Sequence, residues 1–245
     1  MIKIGINGAG GRMGLRIASL ITQSKDCQVK LALERPGHPA LGQDIGFLAG
    51  LSEKLNVLLT SDFPGKTVDV ILDFSHPDAT MPLLEKCQKY KIALLIGTTG
   101  FNETQIAQIR ESGKTIPCLL SPNLSIGANV MFKTAAELAR RLGPEYDIEI
   151  VETHHRFKKD APSGTAKKLA AAVNSVFPGK NIPTHAIRVG DVVGEHKIIF
   201  GTIGERIELG HFAQTRDTFA YGAIKTGLWL AHAKPGFYTM DDILQ

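Results

Sequence analysis

The chain has 245 residues, which is enough for one large domain or two modest ones with a substantial core. Its apolar and charged fractions, 43% and 21%, are those of an ordinary soluble globular protein and argue against disorder. A net charge of +4 without a dense Lys/Arg run argues against a nucleic-acid-binding surface.

The cysteines and the apolar runs indicate the cellular compartment in which the protein is expected. Cys27, Cys87 and Cys118 are odd in number and widely spaced, without a Cys-x-x-Cys pair. This usage predicts free, structural thiols in a reducing compartment. No apolar run approaches membrane length, and the N-terminus shows no signal-peptide pattern. We therefore expect a soluble cytoplasmic protein that contacts neither membrane nor nucleic acid.

Strand-like and helix-like segments alternate through the first half of the chain. Short apolar or β-branched runs predict strands at 2–7, 29–33, 68–74, 92–96 and 116–120. Helical spacing follows the first of them, and further helices are expected up to about residue 90 and over 102–110. This alternation predicts right-handed βαβ units and a doubly wound, Rossmann-type parallel sheet.

The pattern changes after residue 124. Helices are expected over 127–142, 163–176 and 219–233, with strands at 146–151, 187–193, 197–202 and 206–211. The last three strands are close together, which predicts a second α+β domain with a mixed open sheet. We expect residues 1–124 and 216–245 to form a dinucleotide-binding domain and residues 125–215 a substrate-binding and oligomerisation domain. Hinges are predicted near 124–127 and 214–216.

A glycine-rich turn joins the first strand to the first helix. Met13 stands where the usual Gly-x-Gly-x-x-Gly motif has its last glycine, whereas Gly8, Gly11 and Gly14 give Gly-x-x-Gly-x-x-Gly. This spacing also permits a tight turn and close approach of a diphosphate to the helix N-terminus. Glu34, after the second strand, is placed to bind adenosine ribose hydroxyls. A ligand-free turn is the alternative, but the strand, helix and acid together favour a cofactor.

One residue and two short segments follow predicted strands at positions where a ligand could bind. Arg35 is either a partner for a 2′-phosphate, so that both NADH and NADPH are accepted, or a solvated loop charge. The segments Gly97-Thr98-Thr99 and Ser121-Pro122-Asn123 each end a later strand. The carboxyl ends of strands line the ligand crevice of open α/β sheets. Both segments are therefore predicted near the nicotinamide and its ribose.

The segment from Glu152 to Ala166 carries the densest chemistry. It contains His154, His155 and Lys158, followed by Ser163-Gly164-Thr165 at the start of a helix. Imidazoles and ammonium groups donate protons near neutral pH, and the free N–H groups of a helix start can hold a carboxylate. A solvated strand end is the alternative. The combination favours a site where an acidic small molecule is bound and protonated.

A metal site is not expected. His154 and His155 are adjacent on a strand and point to opposite faces. His185, His196 and His211 are scattered along the sequence, and no acid or thiol completes a usual ligand spacing.

The run His-His-Arg-Phe-Lys-Lys-Asp-Ala-Pro-Ser-Gly-Thr-Ala at 154–166 resembles the signature of the dihydrodipicolinate reductase family. Further segments fit the same family and span nearly the whole chain, among them 8–14, 34–35, 97–100, 121–125, 188–191, 194–196 and 236–244. The resemblance implies NAD(P)H-dependent reduction of 4-hydroxy-tetrahydrodipicolinate, a small cyclic dicarboxylate, to tetrahydrodipicolinate in lysine and diaminopimelate synthesis. It also implies a homotetramer built by the open sheet of the second domain.

The resemblance assigns roles by matching position. It makes His154 the general acid/base, Lys158 a proton donor, and His155, Gly164 and Thr165 substrate contacts. The cofactor contacts that it implies are Gly8, Gly11, Arg12, Met13, Glu34, Arg35, Gly97, Thr98, Thr99, Ser121, Asn123 and Leu124. Leu124 departs from the family's common pattern, in which an aromatic residue often stands there.

Two other functions fit parts of the sequence. Another nicotinamide-dependent dehydrogenase of amino-acid metabolism, such as an aspartate or homoserine dehydrogenase, explains the first domain but not the order of residues from His154 to Thr165. A nucleotide-sensing module with no catalytic role gives no reason for imidazoles and Lys158 beside an anion cradle.

Overall fold

The computed structural model describes residues 1–244 and divides the chain into two compact units. The first unit contains residues 1–124 and the chain from Phe219 onward, and the second contains Ser125–Thr218. No helix in the described part of the chain is long and apolar enough to cross a membrane.

The strands are β1 (Ile2–Asn7), β2 (Cys27–Leu33), β3 (Leu59–Thr60), β4 (Val70–Asp73), β5 (Ala93–Ile96), β6 (Pro117–Leu120), β7 (Asp147–His154), β8 (Thr184–Arg188), β9 (Gly194–Thr202), β10 (Glu205–Ala213) and β11 (Gly236–Tyr238). The helices are α1 (Arg12–Ile21), α2 (Ile45–Leu48), α3 (Pro77–Tyr90), α4 (Glu103–Ser112), α5 (Ile126–Leu142), α6 (Gly164–Asn174), α7 (Asp217–Leu230) and α8 (Met240–Ile243).

The first unit is built on a seven-stranded sheet in the order β11-β6-β5-β4-β1-β2-β3, with every neighbouring pair parallel. The order reverses between β1 and β4, which is the switch point where doubly wound folds bind ligands. Strands β4 and β5 are buried along their whole length, as continuous apolar runs covered on both faces should be. The predicted Rossmann-type sheet is confirmed.

The edges of this sheet carry details that the sequence pattern missed. Strand β2 begins at Cys27, two residues before the predicted start, and β3 is only two residues long. Because β2 and β3 are linked by a loop that contains only the single turn of α2, no periodic signal announces β3. At the opposite edge, Gly236–Tyr238 pairs in parallel with β6.

The second unit contains a four-stranded sheet in the order β10-β9-β7-β8. Strands β7 and β8 are parallel, whereas β9 pairs antiparallel with both of its neighbours, so the predicted mixed sheet is confirmed. Helices α5 and α6 contribute Ala135, Ala139 and Leu169 to a core shared with Ile150 and Phe200 of the sheet.

Several strand boundaries of the second unit were predicted wrongly, including the start of β9, which lies at Gly194 instead of residue 197. Strand β7 continues to His154 instead of ending at residue 151, because it pairs with β8 up to His154 and Arg188. Strand β8 covers Thr184–Arg188 instead of 187–193. The chain turns at Gly190, which has a φ of +53° in the left-handed region that glycine adopts readily.

Candidate active site

The glycine turn after β1 is built so that only glycine fits at two positions. Gly8 has a φ of +74°, and a Cβ there would lie 2.4 Å from the carbonyl oxygen of Phe74. A Cβ at Gly14 would lie 2.4 Å from the carbonyl oxygen of Gly8. The turn therefore packs so closely on the end of β4 and on the start of α1 that neither position has room for a Cβ.

The start of α1 suits an anion. Its N-cap residue, Gly11, provides no side-chain cap, and the first turn contains no acidic residue. Gly11 and Arg12 are exposed, and Met13 is half-buried. Backbone N–H groups, the helix dipole and a guanidinium thus share one accessible surface, which fits a diphosphate.

A cleft of about 470 Å³ lies beside this turn in the first unit. Glu34 and Arg35 line it together with Phe63, His76 and Lys86. The Glu34 carboxylate accepts hydrogen bonds from the backbone N–H of Gly10 at 3.0 Å and of Arg35 at 2.9 Å. An acid, two cations and an apolar wall match the chemistry of an adenosine moiety, so the residues of this unit fit a dinucleotide.

Asp73, which the sequence reading did not single out, lies at the sheet's switch point. Its fully buried carboxylate accepts hydrogen bonds from Asn7, Ser75, Thr80 and Thr98 at 2.6–2.8 Å. Burial raises the pKa of Asp73, and the four hydrogen bonds oppose that rise. The sequence does contain a signal for this residue, because Asp73 is an acid at the end of a continuously apolar strand.

This network fixes the segment after β5. The Thr98 hydroxyl donates to Asp73 and accepts from the backbone N–H of Ser75 at 2.9 Å. A Cβ at Gly97 would lie 2.5 Å from the Phe74 ring, so the strand end packs tightly. The hydroxyl of Thr98 is thereby committed to the protein, while Thr99 is exposed.

The segment after β6 is held by its own turn. The Ser121 hydroxyl donates to the carbonyl oxygen of Asn123 at 2.8 Å. Asn123 is half-buried, and Leu124 is buried at 2% exposure.

Glu152 is the centre of the polar cluster in the second unit. It lies two residues before His154 on β7, so both side chains point to the same face. The carboxylate is fully buried and contacts His154 Nδ1 through Oε2. Arg188 donates to Oε1 at 2.7 Å and to Oε2 at 2.9 Å, and the Ser163 backbone N–H donates to Oε1 at 3.1 Å. The period-two spacing of Glu152 and His154 was the signal that the sequence reading overlooked.

Contrary to the sequence expectation, two other histidines are not scattered. Glu152, His196 and His211 stand opposite one another on β7, β9 and β10. The His154 and His196 rings are 5.1 Å apart in an edge-on arrangement. Cross-strand pairing places residues distant in sequence side by side, so their linear spacing does not indicate that they are close in space. His185 does remain apart and pairs with Glu149.

Each of these two histidines meets a serine that caps a helix. His196 Nε2 lies 3.1 Å from the hydroxyl of Ser163, the N-cap of α6, and His211 Nε2 lies 3.2 Å from the hydroxyl of Ser125, the N-cap of α5. Burial lowers the pKa of His196 to about 4, so this imidazole is neutral at physiological pH.

The loop after β7 presents the predicted donors. Lys158 pairs with Asp160 at 2.8 Å, and its backbone N–H donates to the carbonyl oxygen of His155 at 3.1 Å. His155 is half-buried, and its Nδ1 is buried without a hydrogen-bond partner among the described residues. A buried, unsatisfied ring nitrogen suits a ligand contact.

The α6 start suits a carboxylate. Ser163 caps the helix by accepting from the backbone N–H of Ala166, and the first turn carries no acidic residue. Gly164 is exposed, with open space where a Cβ would be, and Thr165 follows it half-buried.

His154 is the buried imidazole of the site, with 8% exposure. Burial lowers its pKa, Glu152 raises it, and the charges of Lys158 and Arg188 lower it further. The pKa of Glu152 is lowered by Arg188 and His154 against the opposing effect of burial. The result is an ionised carboxylate that orients the imidazole through its Nδ1.

A metal ion fits this cluster poorly. Ligand atoms of Glu152, His154 and His196 lie within 4.8 Å of one another. However, Arg188 already neutralises both carboxylate oxygens of Glu152, and the charge of Lys158 acts on the same imidazole. A divalent cation would face this positive charge, so the geometry favours a proton-transfer site.

The fold and the two polar sites together define a dinucleotide-dependent oxidoreductase. Comparison with known proteins narrows this class. The family model for the dihydrodipicolinate reductase N-terminus matches residues 2–124, and that for its C-terminus matches residues 127–244. The chain belongs to the dihydrodipicolinate reductase family.

Individual relatives agree over the full chain. It is 42% identical to 4-hydroxy-tetrahydrodipicolinate reductase of Syntrophus aciditrophicus, over 100% of this chain and 98% of the relative, and 40% identical to that of Citrifermentans bemidjiense, over 100% and 99%. The dipicolinate-bound dihydrodipicolinate reductase from Paenisporosarcina sp. TG-14 superposes with a TM-score of 0.77 at 25% identity, covering 98% of this chain and 97% of that one. These matches span both units and favour the reductase over the two alternative functions.

Proposed function

We propose that this chain reduces 4-hydroxy-tetrahydrodipicolinate to tetrahydrodipicolinate with NADH or NADPH, in lysine and diaminopimelate synthesis. The observation that carries the proposal is the buried His154–Glu152 pair beside the Lys158 loop and the open start of α6, in a chain that matches the reductase family throughout.

We propose that residues 1–124 and 216–245 bind the cofactor; the last of them, Gln245, lies outside the described residues. Gly8, Gly11, Arg12 and Met13 hold the diphosphate, Glu34 the ribose hydroxyls and Arg35 a 2′-phosphate. The segments 97–99 and 121–124 contact the nicotinamide ribose and ring. When bound, the reduced nicotinamide supplies the hydride.

We propose that residues 125–215 bind the substrate and supply the proton. Gly164 and Thr165 hold one carboxylate through backbone and hydroxyl groups, and His155 contacts the substrate. Together with Lys158, these groups form a cationic pocket that stabilises the negative charge developing in the transition state. His154 and Lys158 then deliver the proton to the ring carbon next to the reduced position.

The proposed assembly is a cytoplasmic homotetramer formed through the open sheet. Helices α5 and α6 pack on one face of the sheet. On the other face, Ile187 and Phe212 are 46% and 57% exposed, and Val151 and Ile199 of the same face are half-buried. Exposed apolar surface of this kind favours association of copies. Three buried free cysteines support a reducing compartment.

The test is a coupled assay with freshly generated 4-hydroxy-tetrahydrodipicolinate, run in parallel with NADH and NADPH. His154→Gln and Lys158→Ala should each lower kcat by about 10²–10⁴-fold, because each removes a proton donor. Cofactor affinity should stay nearly unchanged. The exposed residues His232 and Lys159 offer matched controls, and His232→Gln and Lys159→Ala should retain wild-type turnover.

A lack of turnover by the wild-type enzyme with both cofactors would refute the proposed reaction. Normal turnover in His154→Gln and Lys158→Ala would refute the assigned residues while leaving the reaction standing.

A further inference from the structure

The side chain of Arg188 joins three parts of the proposed substrate site. Its guanidinium donates to both oxygens of Glu152 and, at 2.6 Å, to the backbone carbonyl of Asp160 in the loop that carries Lys158. Glu152 in turn contacts His154 and accepts from the backbone N–H of Ser163 at the start of α6. One buried ion pair therefore links the imidazole, the lysine loop and the predicted carboxylate cradle.

This ion pair differs from an ordinary surface salt bridge. Glu152 has no exposed surface, and the Arg188 side chain is only 18% exposed. Both oxygens of Glu152 accept from Arg188; Oε2 also contacts His154, and Oε1 also accepts from the Ser163 backbone N–H. Arg188 and His154 therefore share the charge of one carboxylate. A low-dielectric site makes such sharing matter, because charges there are weakly screened.

We propose that Glu152 and Arg188 are positioning residues that act on His154 as an opposed pair. Glu152 orients the imidazole and favours its protonated form, whereas Arg188 limits how strongly it does so. The inference rests on the proposed role of His154 as the proton donor.

Several other charged or titratable groups lie beside His154 or pair with its neighbours. Lys158 and Asp160 come from the loop, His196 from β9, and His211 lies opposite His196 on β10. His196 is neutral at physiological pH because its pKa is about 4. Lys158 is partly offset by Asp160, with which it pairs at 2.8 Å. Removal of the Glu152 charge and removal of the Arg188 charge should therefore shift the pKa of His154 in opposite directions.

The two ends of the pair are tested by separate substitutions. Glu152→Gln removes the negative charge, so the pKa of His154 should fall and the high-pH limb of the kcat profile should move about one unit lower. Arg188→Gln removes the positive charge and leaves Glu152, so the same limb should move to higher pH. Arg188→Lys keeps the charge but not the bidentate geometry, and should keep the limb near its wild-type position with a reduced kcat.

The measurement is the pH profile of kcat with saturating NADH, together with the KM for the substrate. Glu137 on α5 is a matched control, since its carboxylate also contacts two arginines, Arg140 and Arg141, in the same unit. Glu137→Gln should leave the profile unchanged. Thermal unfolding and NADH binding verify that each variant is folded. If Glu152→Gln does not fold, Glu152→Asp replaces it; this variant should keep the limb near its wild-type pH with a lower kcat.

A direct titration separates this inference from the proposed function. The pKa of the His154 imidazole is measured by NMR on protein with isotopically labelled histidine, with His154→Gln used to assign the signal. Opposite shifts in Glu152→Gln and Arg188→Gln support the inference even if the reaction differs from the one proposed. Shifts in the same direction, or lower kcat at an unmoved limb, would show that the ion pair is only structural.

Discussion

Two buried carboxylates, one in each unit, are both fully enclosed by hydrogen-bond donors but have opposite electrostatic surroundings. Asp73 accepts from neutral groups, the amide of Asn7 and the hydroxyls of Ser75, Thr80 and Thr98. Glu152 instead accepts from a guanidinium and an imidazole, with one backbone N–H. Burial dominates the first site and raises the pKa of Asp73, whereas charged partners lower the pKa of Glu152.

The difference indicates what each acid is suited to do. Neutral donors hold strand ends together without adding a net charge, so Asp73 suits the fixed geometry of a cofactor-binding edge. Charged donors create a field that a neighbouring imidazole senses, so Glu152 suits control of proton transfer.

The largest expected effects come from deleting each carboxylate. Glu152→Ala should destabilise the second unit by about 3–5 kcal/mol, because it leaves a buried guanidinium without its partner. Asp73→Ala should destabilise the first unit by about 3 kcal/mol, since buried donors then lose their acceptor at about 1–3 kcal/mol each.

Chemical denaturation measures the size of each loss, and hydrogen exchange followed by mass spectrometry identifies the unit affected. Loss of protection in the other unit for either variant would contradict the assignment of one network to each unit.

The pH dependence of stability should have opposite signs at the two acids. Because the pKa of Asp73 is raised in the folded protein, its unfavourable contribution grows as pH rises from about 4 through that pKa. Because the pKa of Glu152 is lowered, its stabilising contribution is complete above about pH 4.3 and is lost as pH falls through the folded value.

The Tm differences between the wild type and the variants Asp73→Asn and Glu152→Gln measure these contributions between pH 3.5 and pH 7, which is about the range set by the ordinary carboxyl pKa values. As pH falls, the Tm of the wild type should rise relative to that of Asp73→Asn. Over the same range, the amount by which it exceeds the Tm of Glu152→Gln should shrink. Slopes of the same sign would show that the two sites are electrostatically alike.

The smallest expected effects come from single hydroxyl groups of the Asp73 network. They distinguish a role in stability from a role in NADH binding. Thr80→Val and Thr98→Val each remove one hydroxyl donor at nearly constant shape, so each should cost about 1–2 kcal/mol of stability. Thr98→Val should in addition raise the dissociation constant for NADH, because the Thr98 hydroxyl fixes the predicted nicotinamide segment through Asp73 and Ser75. Fluorescence titration with NADH checks this, with Thr80→Val as the control; equal affinities would mean that the Thr98 hydroxyl only stabilises the fold.

Local patterns in the sequence were sufficient for much of the molecule. The alternation of apolar runs and helical spacing predicted the parallel sheet of the first unit, because strands covered on both faces must be continuously apolar. The glycine spacing predicted the turn after β1, since the contacts at Gly8 and Gly14 leave no room for a Cβ. His154, Lys158 and the α6 start could be proposed as site residues because they lie within one short segment.

The residues that support those groups were decided by tertiary structure. Arg188 reaches Glu152 only because β8 pairs in parallel with β7, and His196 meets His154 only because β9 pairs with β7 in one particular register. Asp73 gathers its donors from the ends of β1 and β5 and from α3. The sequence by itself thus determined the fold class and the candidate catalytic groups, whose signals are local. The charge environment of those groups depends on cross-strand register, which no local spacing encodes.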